Sequence, residues 1–292
     1  MSTVTEFQSR LEQVGYIAEP GLAATLLLFT ELRRPLMVEG EAGVGKTEIA
    51  KALAAVFDRP LIRLQCYEGL DAGTAVYEWN YQRQLLAIKI QESEHTSAEE
   101  KERHIFNEDF LLKRPLLQAI TQPESPVLLI DEIDRADEEF EAYLLELLSD
   151  FQISIPELGT IKASSIPYVV LTSNGTRELS DALRRRCLYH YVDYPAMDKE
   201  LRIIQRREPQ ISQQLAGQVV AFVHGLRGLD LRKNPGIAET LDWVAALLRL
   251  QVNRLDGDPA LIAQSLVCLL KTKEDRDALT PEVTARLVAN SV

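Results

Sequence analysis

The sequence predicts an α/β fold, a parallel sheet flanked by helices with a small all-helical domain after it, and three observations carry that prediction. From Pro35 to about Pro195, short apolar runs alternate with amphipathic helical patterns, which is how a parallel sheet covered by helices reads. A glycine-rich loop of the form GxxxxGK[ST], Gly40 to Thr47, joins the first apolar run to a helical pattern. After Tyr194 and Pro195 the strand-like runs stop, and only helical periodicity continues.

The candidate strands are Leu36–Glu39, Leu61–Gln65, 127–130 and 168–172. Each is compact and rich in Val, Leu and Ile, as expected of strands buried on both faces. The helix after the glycine-rich loop carries Ile49, Leu53 and Phe57 on one face. The stretch 91–103 is rich in Glu, Ser and His and reads as a solvated insertion. Phe140, Tyr143, Leu144, Leu147 and Leu148 recur at helical spacing, which puts them on one helix face against the sheet. Residues 152–155 and 160–162 flank a turn containing Pro156 and Gly159, the pattern of a β-hairpin. Beyond 195, helical periodicity marks 216–226, 237–250 and 259–270, with Trp243 as a core residue. We therefore expect an α/β nucleotide-binding domain over 1–195, with an insertion at about 67–112 and the hairpin at about 151–163, and a helical domain over 196–292.

Composition narrows the function classes. The chain has 292 residues, 46% of them apolar, enough to bury a sizeable core. Its formal net charge of -12 offers no broad positive field, so neither nucleic acid nor anionic lipid is expected as a primary partner. The three cysteines, Cys66, Cys187 and Cys268, lie far apart without metal-ligand spacing, which fits a reducing cytoplasm. The polar N-terminus and the short apolar run 22–29 predict no leader and no membrane insertion. His95, His104, His190 and His224 show no catalytic or metal pairing, and no GxSxG motif is present.

The loop carries the chemistry. Its glycines let the backbone wrap so that successive N–H groups face phosphate oxygens, and the helix start adds its positive dipole end. Gly40, Glu41, Ala42, Gly43, Val44, Gly45, Lys46, Thr47 and Glu48 are thus the expected nucleotide contacts. Lys46 reaches the β- and γ-phosphates, and the Thr47 hydroxyl binds Mg²⁺. The buried run 127–130 ends in Asp131 and Glu132, one carboxylate for the metal and one toward an attacking water. Asp134, Asp137, Glu138 and Glu139 follow and are read as capping and solvation at a helix start.

These motifs resemble the AAA+ superfamily, and more closely the MoxR-type ATPases, over about 16–195. The resemblance implies Mg-ATP hydrolysis in a homo-oligomeric ring, a hexamer, acting on a protein client. Asn174, closing the fourth strand, matches the polar residue called sensor 1. Arg186, with Arg185 second, matches the arginine finger that completes a neighbour's site; Cys187 then stands where the family usually has an aromatic residue. The lid arginine called sensor 2 has no direct match: Gly236 occupies its place, leaving Arg232 or Lys233 as substitutes. Residues 67–85 are most similar to the CoxD branch, associated with maturation of molybdenum-containing carbon monoxide dehydrogenase beside a von Willebrand A partner. Tyr77, Trp79 and Tyr81 alternate there, and partner anchoring and core packing are both open readings for them. An assembly factor for another structure, such as gas vesicles, and a nucleotide-dependent scaffold with little turnover are the alternatives.

Overall fold

The structure, a computed structural model, describes residues 3–91 and 105–292; the expected insertion 91–103 falls outside them apart from its first residue. Two compact units emerge, one of Gly21–Glu39 and Ala50–His190, the other of Met1–Pro20, Gly40–Ile49 and Tyr191–Val292. None of the helices among the described residues is long and apolar enough to cross a membrane.

In the first unit the strands are β1 (Leu36–Glu39), β2 (Leu61–Gln65), β3 (Tyr77–Trp79), β4 (Leu111–Lys113), β5 (Val127–Asp131), β6 (Gln152–Ile155), β7 (Gly159–Lys162), β8 (Tyr168–Ser173) and β9 (Leu188–Tyr191). The main sheet has the order β2-β5-β8-β1-β9, and β2, β5, β8 and β1 run parallel. Pairing of Gln65 with Asp131, and of Glu39 with Ser173, brings the carboxyl ends of these strands to one edge, where ligand sites of open α/β sheets lie. β5 is buried along its whole length, as its unbroken apolar run requires. β2 departs from the expectation of burial on both faces. It lies at the end of the sheet order, so Arg63 and Gln65 alternate outward while Ile62 and Leu64 enter the core.

The helix Glu138–Asp150 packs Phe140, Leu144, Leu147 and Leu148 inward, but Tyr143 is 56% exposed and leaves the predicted face. Its phenolic oxygen makes a wet position tolerable. The hairpin forms as β6 and β7, antiparallel, with Gln152 opposite Lys162. Among the three aromatics of the insertion, Trp79 is buried against Tyr77 and Phe106, whereas Tyr81 is not on the extended segment at all. It opens the helix Tyr81–Gln91, where it is exposed. That helix is inside-out: Gln84 is buried and donates to the Ile105 carbonyl at 2.8 Å, while Leu85, Leu86 and Ile90 face water.

In the second unit, helices Met197–Arg207, Gln213–Arg227, Ile237–Arg249, Pro259–Ser265 and Pro281–Ser291 bury Phe222, Trp243 and Leu226 among aliphatic neighbours. The Trp243 indole satisfies its N–H by donating to Ser265 Oγ at 2.8 Å. Glu200, fully buried, accepts from both Nη atoms of Arg227 at 2.7 and 2.9 Å and from the Thr240 hydroxyl at 2.8 Å. His224 Nε2 lies 2.9 Å from the same carboxylate. Arg227 Nε donates to the Pro235 carbonyl at 2.8 Å, so the buried ion pair fixes the turn that precedes Gly236.

Candidate functional site

The chain passes from β1 at Glu39 straight into the loop, and the helix Lys46–Phe57 begins where the loop ends. Gly43 and Gly45 take φ of +79° and +94°, a region L side chains rarely enter, which is why the motif demands glycine there. Lys46 is buried, and its Nζ donates to the carbonyls of Gly40 and Glu41, each at 2.6 Å. Thr47 and Glu48 occupy the first helical turn, and Glu48 accepts from Arg207 at 2.8 Å.

Gly236, the N-cap of Ile237–Arg249, lies directly on this loop. A β-carbon at 236 would stand 2.6 Å from both the carbonyl carbon and oxygen of Gly43, and Ala238 N–H donates to that oxygen at 3.3 Å. The backbone contact leaves no room for the side chain that the sensor 2 pattern expects at this position. Glu239 closes the turn by accepting from Gly236 N–H at 3.0 Å.

Two cavities open on the loop. Val44 and Gly45 line a narrow one of about 80 Å³ with Tyr16, Ile17, Ile237 and Leu241. Burial there, reinforced by Glu48 and Glu19, pushes the Tyr16 phenol pKa well up. Glu41 and Ala42 line a larger one of about 530 Å³ with Arg232, Lys233, Lys271 and Tyr194. The backbone N–H groups of Arg232 and Lys233 donate to the Asp275 carboxylate at 2.7 and 3.2 Å, which anchors the segment carrying both cations.

The acidic strand end is built in the other unit. Asp131 is buried; its Oδ1 accepts from the Thr172 hydroxyl at 2.5 Å, and its Oδ2 accepts from Arg63 Nε at 3.1 Å and Nη2 at 2.6 Å. Thr172 Oγ1 in turn accepts from Glu132 N–H at 2.9 Å. Glu132 adopts left-handed backbone (φ 57°, ψ 51°), a strained conformation for this residue type. The Glu132 carboxylate accepts from Gln65 Nε2 at 3.1 Å and pairs with Arg135 Nε at 3.2 Å. No cluster of three or more His, Cys, Asp or Glu able to hold a metal occurs among the described residues. The Thr47 hydroxyl in one unit and the Asp131 carboxylate in the other are each oxygen donors of the kind Mg²⁺ takes, a hard cation that keeps several waters and needs few protein ligands.

Asn174 directly follows β8 and is half-buried. Asp134 corrects the expectation of solvation: it is buried, and its Oδ2 accepts from the N–H and hydroxyl of Thr176 at 3.0 and 2.6 Å. Burial pulls its pKa up, but the bonds from Thr176 and the Asn174 backbone prevail and hold it below the ordinary value. Asp137 does cap, accepting from Phe140 N–H at 2.8 Å. Arg184, Arg185 and Arg186 end the short helix Asp181–Arg186. Arg186 is tied to Ser149 Oγ and, at 2.9 Å, to the Ala182 carbonyl, while Arg185 is exposed.

Sequence reasoning missed Arg63, Gln65, Thr172, Tyr16, Ile17 and Lys271. A charged residue inside the apolar run Leu61–Gln65 was the one available signal, pointing to Arg63. The others are brought to their places by strand register or by segments distant in sequence.

The family model described as an AAA domain of the dynein-related subfamily matches residues 35–187, more than half of the chain. An uncharacterized protein of Staphylococcus aureus (strain bovine RF122 / ET3-1) is 29% identical over 227 residues, covering 75% of this chain and 78% of its own. An uncharacterized protein of Staphylococcus epidermidis is 28% identical with the same coverage. The Thermotoga maritima RuvB Holliday junction branch migration motor superposes with a TM-score of 0.45 at 18% identity, covering 94% of this chain and 74% of that one. A mutant RuvB from the same organism gives 0.49 at 19%, covering 91% and 72%.

Proposed function

The chain belongs to the AAA domain family, in its dynein-related subfamily, and from that premise we propose that it is an ATPase of the MoxR type. In this reading it hydrolyses Mg-ATP within a homo-oligomeric ring to remodel or mature a protein client. One observation carries the nucleotide reading: the loop lies between a mostly apolar slot, at Val44 and Gly45, and a cavity, at Glu41 and Ala42, where the cations Arg232, Lys233 and Lys271 outnumber the carboxylates of Glu41 and Glu239. That pairing suits a ligand with a flat base at one end and a polyanion at the other.

Each residue then has a task. Loop N–H groups and Lys46 bind the phosphates, and Lys46 exchanges its two carbonyl partners for phosphate oxygens. Arg232, Lys233 and Lys271 add positive charge from the helical segment, in the place of the arginine that Gly236 excludes. Thr47 and Asp131 would hold Mg²⁺, which would supply charge neutralisation at the phosphates. Glu132 takes the proton from the attacking water, and Asn174 orients that water. Arg186, with Arg185 beside it, completes the site of a neighbouring subunit. Residues 1–195 form the α/β nucleotide-binding domain, and residues 196–292 form the helical lid domain.

The similarity of 67–85 to the CoxD branch supports a metalloenzyme precursor as client and a von Willebrand A protein as partner. The test is steady-state phosphate release against protein concentration. Wild type should turn over with a rate per subunit that rises as rings form, Lys46→Ala should fall to background, and Glu132→Gln should bind ATP without turnover. Wild-type release no faster than that of Lys46→Ala would refute the enzyme reading.

A further inference from the structure

Arg63 stands where an apolar strand has no packing use for it. Leu61–Gln65 is a five-residue strand in which Ile62 and Leu64 enter the core, and Arg63 points to the other side with its side chain 52% exposed. The guanidinium folds back along the sheet and places two donors, Nε at 3.1 Å and Nη2 at 2.6 Å, on one oxygen of Asp131. The other oxygen of that carboxylate holds the Thr172 hydroxyl at 2.5 Å. Nη2 also donates to Gln65 Oε1 at 2.5 Å, which fixes the fork in its plane.

We infer that Arg63 is a positioning residue that sets how tightly Asp131 takes a divalent cation, an inference that rests on the ATPase reading above. Asp131 is almost fully buried, and an unpaired buried charge is strongly disfavoured, so the Arg63 guanidinium serves as its counter-charge and aims it before any cation arrives. The same counter-charge opposes the cation. A guanidinium fixed at hydrogen-bond distance lowers the attraction of the carboxylate for any second positive charge and occupies lone pairs the cation needs. The Arg63 side chain is half exposed, so a guanidinium released from Asp131 is rehydrated, and an arriving cation replaces it as the counter-charge of the buried carboxylate. Cation binding at Asp131 is therefore an exchange against Arg63. Lysine preserves the charge but not the two-donor fork, whereas glutamine removes the charge and keeps much of the volume.

The experiment measures cation affinity without turnover. Mn²⁺ is titrated into the full-length protein with ADP, and free Mn²⁺ is read by electron paramagnetic resonance; circular dichroism confirms that each variant is folded. Removing the positive charge, Arg63→Gln should bind Mn²⁺ roughly fivefold more tightly than wild type. Arg63→Lys should stay within about twofold of wild type, because the charge remains. Equal affinity in wild type and Arg63→Gln, or weaker binding in the variant, would overturn the inference while leaving the nucleotide site intact. No ADP-dependent Mn²⁺ binding in any of the three proteins would instead overturn the parent reading and this one with it.

Discussion

Restoring the arginine that the family pattern places at 236 should harm this protein. The obstacle is the β-carbon, before any guanidinium is considered. At Gly236 it would lie 2.6 Å from the carbonyl carbon and oxygen of Gly43 and 2.8 Å from its Cα, short of ordinary contact at 3.4 Å by about 0.8 Å. The opposing atoms are backbone, and Gly43 is itself held at φ +79°, so neither side yields by a side-chain rotation. Overpacking of this kind typically destabilises by ~1–3 kcal/mol. For a chain of this size that corresponds to a fall in Tm of roughly 2–5 °C. Gly236→Ala isolates the β-carbon, and Gly236→Arg adds the charge. Gly217, in the helix Gln213–Arg227 with nothing within 4 Å of an added β-carbon, is the control. Gly217→Ala should raise stability by ~0.5–1 kcal/mol through helix propensity alone. Differential scanning fluorimetry with and without ATP, alongside phosphate release, separates the outcomes. If Gly236→Arg matches or exceeds wild type in both Tm and turnover, the close seat of Gly236 on Gly43 is wrong.

Other consequences are as direct. Glu200→Ala leaves Arg227 buried without its carboxylate, so it should lose ~3–5 kcal/mol of stability, seen as a drop in the chemical-denaturation midpoint; Glu200→Gln should recover part of it. Asp134→Asn should lower stability at pH 7 by ~1–3 kcal/mol, because bonds from Thr176 to a charged acceptor are lost. The Asp134 pKa is depressed in the folded state, so its contribution is present above the unfolded value of about 3.9 and fades as pH falls toward the folded one. The Tm gap between wild type and Asp134→Asn should accordingly narrow from pH 7 to pH 3.

What was legible in the sequence is what chemistry forces to be contiguous. A phosphate loop must put glycines, a lysine and a hydroxyl within eight residues of one another, so Gly40 to Thr47 announces itself. β5 is apolar throughout because both its faces are covered, and Asp131 ends it. Contacts made across strand register left no such trace. Gln65 faces Asp131 only because β2 pairs with β5 in that register. Asp134 looked like one more acid at a helix start, since its partner Thr176 is 42 residues away. β9 escaped notice because Tyr189 and Tyr191 are exposed and Leu188 is its one aliphatic residue, an outer strand that never reads as core. Helical periodicity put Tyr143 on the buried face by spacing alone, and spacing does not register that a phenol tolerates water. The helix Tyr81–Gln91 resisted reading for the opposite reason, with its apolar side chains outward and Gln84 within.

With Glu132 in its proposed role, the left-handed backbone there sets stability and activity against each other at a single residue. Glycine would occupy that conformation without steric penalty, a relief of about 1 kcal/mol, and the contacts it would forfeit to Gln65 and Arg135 are partly solvated. A screen rewarding thermal robustness alone would thus drift toward a sturdier protein that has lost the carboxylate beside Asp131. The awkward angle marks a position where usefulness, rather than comfort of the chain, decides which amino acid stays.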